Sequence, residues 1–124
     1  MELVIDQKAE PGIIVGTASG QLRLQDLKAA AAALWREVTA PEACVLWDLR
    51  GVNFELSSAE VAEFAAFGKQ NSPFAGLRMA FLVSDDLAFG LIRMFDVFRA
   101  TERTHTAVFR IRSQALAWLR QDAV

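Results

Sequence analysis

The chain has 124 residues, of which 53% are hydrophobic and 23% are charged, and its formal net charge is −2. This length predicts a single domain over residues 1–124, and this composition excludes a disordered chain. No apolar run reaches the roughly 20 residues that a membrane-spanning helix needs. The amino terminus lacks the basic and apolar pattern of a signal peptide, so we expect a cytoplasmic protein. The acidic balance argues against a nucleic-acid-binding protein.

Acidic and basic side chains are unevenly distributed along the chain. Residues 1–63 carry 5 basic and 10 acidic side chains, whereas residues 64–124 carry 8 basic and 5 acidic ones. Most of the later basic residues are arginines, which suit carboxylate and phosphate groups better than lysines do. A solvated surface explains this pattern most simply. The alternatives are an anion site and a face for a partner protein.

The pattern of the first eighteen residues predicts a β-hairpin. Residues 2–6 predict a short strand, and the Glu10-Pro11-Gly12 tripeptide predicts a turn. The β-rich residues 13–18 predict a second strand antiparallel to the first, which Gly20 closes.

After this hairpin, helical and strand patterns alternate. Apolar residues at helical spacing predict a helix over 24–39 that ends before the Ala40-Pro41 pair. The following elements are a buried strand at 44–49, a helix from Ser57, a strand at 77–83, a helix at 86–100, a strand at 105–111 and a helix at 113–121. This alternation predicts an α/β fold with a mixed, mainly parallel sheet of about five strands and about four helices.

Polar side chains follow the predicted strands at their carboxyl ends, where open α/β sheets collect ligands. They are Asp48, Arg50 and Asn53 after the first buried strand, Ser84 and Asp85 after the second, and Arg110 and Arg112 after the third. Ser57 and Ser58 open the intervening helix, and a helix amino terminus favours a phosphate or a phosphoserine. The Ser57-x-x-Glu60 spacing also forms a capping box, which explains the serines without any ligand.

Motifs for catalysis are absent from the sequence. There is no Gly-x-Gly-x-x-Gly, no Gly-Lys-Ser/Thr and no Gly-x-Ser-x-Gly pattern. Cys44 opens an apolar run and is expected to be a small buried hydrophobe. His105 precedes the last strand, at the sheet edge opposite the expected site. We therefore predict no enzymatic activity, no metal site and no cofactor.

The predicted helix at 86–100 is apolar on more than one face, and Arg93 belongs to a narrow polar stripe. A half-exposed helix should be less apolar than this. Two explanations remain open at this point. The helix is either buried deeply in the monomer, or it presents a patch that pairs with a second subunit or binds an apolar ligand.

The segment 45–61 resembles the STAS domain of anti-sigma factor antagonists, which has the SpoIIAA-like fold. That family has a buried strand, then an Asp/Asn-Leu-x-x-Val/Leu-x-Phe pattern, then an Asp-Ser-Ser/Thr-Gly turn that enters a helix. Asp48, Leu49, Val52 and Phe54 match this pattern in register.

In this resemblance, Ser57 falls on the serine that the family phosphorylates, and Ser58 falls on the next hydroxyl. The family's acidic residue before the serine is Leu56 here, with Glu55 one position away. The family's glycine after the pair is Ala59 here.

Residues 107–119 are similar to the end of uncharacterised bacterial STAS-like proteins, and the whole resemblance covers roughly residues 40–121. It implies a SpoIIAA-like domain that acts as a non-enzymatic regulatory or protein-interaction module. The module would bind a partner protein around Ser57 and near Arg93, and Ser57 would be its switch.

Two other functions remain open. One is a small-molecule or lipid-binding domain for a small anionic or apolar ligand. Its site would lie at the carboxyl ends of the strands, with Asp48, Ser84 and Arg110 as polar contacts and the helix at 86–100 as an apolar wall. The other is a structural homodimer.

Overall fold

A computed structural model of the chain describes residues 1–40, 42–71, 77–99 and 105–121. The elements in chain order are β1 (Glu2–Asp6), β2 (Ile13–Leu22), α1 (Leu24–Trp35), β3 (Cys44–Phe54), α2 (Ser58–Asn71), β4 (Arg78–Leu82), α3 (Asp86–Arg99), β5 (His105–Phe109) and α4 (Arg112–Leu119). Residue 100, the last of the predicted helix at 86–100, lies outside the described residues.

The five strands form one sheet in the order β1-β2-β3-β4-β5. β1 runs antiparallel to β2, and every later pair is parallel. The hairpin turns where predicted, because Gly12 adopts a φ of +77° that a residue with a side chain rarely takes. The predicted α/β architecture, a mixed and mainly parallel sheet with four helices, is confirmed.

Helices cover both faces of this sheet. Side chains alternate between the faces along each strand, so Val45 packs on one side and its neighbour Leu46 on the other. The first side holds the larger core, which α1, α2 and α3 cover. The second side holds a smaller core, where Ala115 and Leu119 of α4 pack on the central strands.

The predicted strand at 44–49 is too short, since β3 continues to Phe54. β2 also runs further than predicted and stays paired with β3 beyond a register shift between Thr17 and Ser19. Gly20 therefore lies inside a paired strand with a φ of +93° and does not close it. Backbone pairing with a long neighbour overrides the local polar signals that marked a strand end.

This extension corrects the position of three predicted site residues. Asp48, Arg50 and Asn53 lie on β3 itself and not in a loop after it. Two other boundaries also shift inward. The first helix ends at Trp35 rather than 39, and the last strand ends at Phe109 rather than 111.

Candidate functional site

Ser57 lies directly before α2, at the carboxyl edge of the parallel strands. Its Oγ accepts a hydrogen bond of 3.2 Å from the Glu60 backbone N–H. The Glu60 Oε1 accepts one of 3.0 Å from the Ser57 backbone N–H. The expected capping box is therefore present, and it satisfies two N–H groups that the helix leaves unpaired. Ser57 and Ser58 are both exposed.

An ion pair that sequence analysis missed lies beside this serine. Arg23 Nε donates to Glu55 Oε2 at 2.9 Å. The two backbones are also joined, because the Glu55 N–H donates to the carbonyl of Leu22 at 2.9 Å. The pairing of β2 with β3 as far as Phe54 brings these residues together. Their separation of 32 positions left no local signal.

Among the described residues, Asp48 is the one charged residue that is buried, with 7% of its surface exposed. The Arg50 guanidinium binds this carboxylate through two hydrogen bonds. Nε donates to Oδ1 at 3.0 Å, and Nη2 donates to Oδ2 at 2.8 Å. Burial alone raises the pKa of Asp48, but the hydrogen bonds and charge of Arg50 outweigh it and hold that pKa below its usual value. The same bonds raise the pKa of Arg50.

Asp48 also belongs to a longer row of alternating charges that sequence analysis missed. Arg112 Nη1 lies 3.8 Å from Asp48 Oδ2, and Arg112 Nη2 lies 3.8 Å from Glu10 Oε1. Arg120 donates to the other oxygen of Glu10. Arg112 and Arg120 flank the two ends of α4, so this row ties the helix to β3 and to the hairpin turn.

The remaining predicted contacts at the carboxyl edge already have partners. Ser84 Oγ donates to the Arg50 carbonyl at 3.1 Å, and Asp85 Oδ1 caps α3 by accepting the Ala88 N–H at 2.7 Å. Arg110 donates to Asp86. The site predicted from the sequence is thus assembled in part, but its arginines face carboxylates and not an open anion site.

Asn53 and Arg93 are exposed, and Arg93 lies on α3. That helix is not buried all round, as the first alternative from its sequence would require. Ala88, Ile92 and Phe95 are buried in the core, whereas Leu87 and Val97 expose 66% and 70% of their surface. One side of α3 is therefore core, and the other is an exposed surface with apolar side chains.

An apolar cavity of about 40 Å³ lies between the sheet and α1, α2 and α3. Three residues of α3 belong to its wall, Leu91, Ile92 and Phe95. Trp35 also lines it, and this indole Nε1 is buried without an acceptor among the described residues. The volume is room for about one water molecule.

Cys44 and His105 do not form a catalytic pair. In the parallel register, Arg78 on β4 stands between them, so two strand spacings of about 4.8 Å separate their backbones. Cys44 is partly exposed rather than buried as predicted, and its Sγ donates to the Leu119 carbonyl at 3.5 Å. Burial raises the pKa of this thiol, which disfavours the nucleophilic thiolate.

The described residues form neither a metal centre nor a membrane span. They contain no group of three or more His, Cys, Asp or Glu side chains placed to hold a metal ion. No helix within the described ranges is both long enough and apolar enough to span a bilayer.

No family model matches the sequence, and no curated protein matches it. Solved structures do resemble it. An uncharacterised protein of the DUF3478 family with a SpoIIAA-like fold, from Shewanella loihica PV-4, is similar with a TM-score of 0.61 and 21% identity, over 95% of this chain and 92% of that one. An anti-sigma factor antagonist from Mycobacterium paratuberculosis is similar with a TM-score of 0.64 and 16% identity, over 97% and 94%. The chain therefore has the SpoIIAA-like fold.

Proposed function

We propose that this chain is a non-enzymatic regulatory module that binds a partner protein in the cytoplasm, and that phosphorylation of Ser57 switches this binding. The observation that carries the proposal is the position of Ser57. It is exposed, it caps α2, and it lies at the carboxyl edge of a SpoIIAA-like sheet. The likeness to an anti-sigma factor antagonist supports a regulatory role.

The capping box gives this proposal a physical basis. A phosphoryl group adds a charge of about −1.5 to −2 at a helix end that favours negative charge. The helix therefore tolerates the modification, while a partner that binds the neutral surface meets a new charge. The exposed residues Leu87 and Val97 of α3 provide an apolar contact for that partner, which is another protein or a second copy of this chain.

The test is a pull-down with Ser57→Asp and Ser57→Asn as matched baits. Aspartate and asparagine cap helices about equally well, so the two variants differ in charge and not in the stability of α2. We expect a partner that binds wild type and Ser57→Asn but not Ser57→Asp. Ser58→Asp is the control for a charge beside the cap. Equal capture by Ser57→Asp and Ser57→Asn contradicts the switch. Light scattering of the wild type separates a second copy from another protein.

A second candidate is the binding of a small, mostly apolar molecule in the α1–α3 cavity. The unpaired Nε1 of Trp35 favours it, because a buried donor without an acceptor is costly and a ligand with one acceptor would relieve that cost. At about 40 Å³, the cavity must widen for anything larger than a few atoms. Native mass spectrometry of the purified protein, with Trp35→Phe as control, tests it. No added mass in the wild type, or an equal added mass in both, argues against this site.

A further inference from the structure

The segment before α2 places Glu55 and Ser57 on the same side of the chain. Glu55 and Ser57 are exposed, whereas Leu56 between them is half-buried and packs against the core. The Cα atoms of residues two apart lie within about 7 Å of each other. A group attached to Ser57 would therefore share one surface with the Glu55 carboxylate.

Arg23 lies beside this surface, and its side chain is largely exposed. Its own N–H donates to Asp26 at 3.0 Å, which fixes the start of α1. The Arg23 side chain is 70% exposed, and its contact is the 2.9 Å ion pair with Glu55. Exposed ion pairs of this kind contribute little to stability, so a better anion nearby can displace Glu55.

A phosphoryl group on Ser57 would be such an anion. It carries up to two charges and three acceptor oxygens, and arginine binds phosphate in a forked, two-bond geometry. The same group would also lie close to the carboxylates of Glu55 and Glu60, which repel it. A cation moving toward the phosphate relieves that repulsion.

We propose that Arg23 is the positioning residue for phosphorylated Ser57, and that phosphorylation moves its guanidinium from Glu55 to the phosphate. The exchange has a second effect, because it leaves the Glu55 carboxylate unpaired on the surface. A partner protein would then contact a surface that carries both the phosphate bound by Arg23 and the unpaired Glu55 carboxylate. This inference rests on the proposed switch at Ser57 and identifies the residue that responds to it.

The test uses full-length protein with phosphoserine installed at position 57 by genetic encoding, so it requires no kinase and no partner. Phosphorus NMR follows the second ionisation of the phosphate with pH. We expect a proton affinity about two- to fivefold lower in the wild type than in Arg23→Gln, in line with the energy of an exposed ion pair. The Arg23 Nε–H signal should shift along the same titration curve.

Arg36→Gln is the matched control. It removes the same charge from an exposed arginine at the other end of α1, and its phosphate should titrate like the wild type. Equal titration of the wild type and Arg23→Gln overturns the inference, and so does an Arg36→Gln effect as large as that of Arg23→Gln. Equal capture by Ser57→Asp and Ser57→Asn in the pull-down would instead count against the switch, so the two failures are distinguishable.

Discussion

Replacing Gly16 by alanine and replacing Gly90 by alanine should have opposite effects on the stability of the protein. Gly16 lies in β2 opposite Trp47, and a Cβ built there falls 2.5 Å from Cδ1 of Leu34 and 3.3 Å from the Trp47 ring. Leu34 is fully buried, so its methyl group has little room to turn away. A Cβ on Gly90, which is exposed on α3, meets nothing within 4 Å.

The magnitudes follow from these two environments. Overpacking a tight core costs about 1–3 kcal/mol, and replacing a strand glycine by alanine returns about 0.5–1 kcal/mol of backbone entropy. Gly16→Ala should therefore lower the free energy of unfolding by roughly 0.5–2 kcal/mol. At Gly90 an added methyl group meets no neighbour, so only the higher helix propensity of alanine matters. Gly90→Ala should therefore raise the free energy of unfolding by up to about 1 kcal/mol.

Guanidinium denaturation followed by tryptophan fluorescence measures both changes in one assay. The midpoint should fall for Gly16→Ala and rise for Gly90→Ala, with the slope of the transition unchanged. A Gly16→Ala variant as stable as the wild type would refute the argument, because it would mean that α1 shifts away from β2 at no cost. A destabilised Gly90→Ala would show that this side of α3 is covered in solution.

Three further predictions concern side chains with defined partners. Asp48→Asn should lower the unfolding free energy by about 1–2 kcal/mol at neutral pH, since it removes the charge that Arg50 binds. Folding lowers the pKa of Asp48, so the stabilisation by its charge is present above about pH 4 and is lost as the pH falls below that value. The unfolding free energy of Asp48→Asn should therefore fall less steeply on acidification than that of the wild type. Arg78→Met should lower the melting temperature by several degrees, because the guanidinium donates to the Trp118 carbonyl and stacks 4.4 Å over that indole ring. Ser57→Ala should cost about 1 kcal/mol by removing the cap, and Ser57→Asn should restore the wild-type denaturation midpoint.

Local sequence patterns predicted the order and type of every element, because each depends on neighbours within a few residues. The short apolar runs around Val45 and Ala80 favoured buried strands, and the Ser57-x-x-Glu60 spacing predicted its own two hydrogen bonds. The end of β3 could not be predicted in this way. It depends on β2 staying paired with β3 beyond a register shift, and that pairing joins residues more than thirty positions apart.

The same distinction applies to the candidate site. The sequence placed several polar residues at one edge of the sheet, but it did not indicate which charged side chains would pair. Arg50 folds back on Asp48 two residues earlier, and Arg23 meets Glu55 across a strand pair. The period of two in a strand puts Asp48 and Arg50 on one face, but nothing in the spacing links Arg23 to Glu55. In place of the anion site that the sequence left open as an alternative, the structure has arginines paired with carboxylates.

The strictly sequential strand order has a consequence for synthesis on the ribosome. Every strand after the first forms beside the one made just before it, so the sheet and its larger core can grow as the chain emerges. The second face behaves differently. Leu46 and Leu82 are covered by Ala115 and Leu119 of α4, which is made after all five strands. The nascent sheet therefore exposes an apolar face until translation passes α4, and that interval is when a chaperone or an aggregating neighbour has access to it.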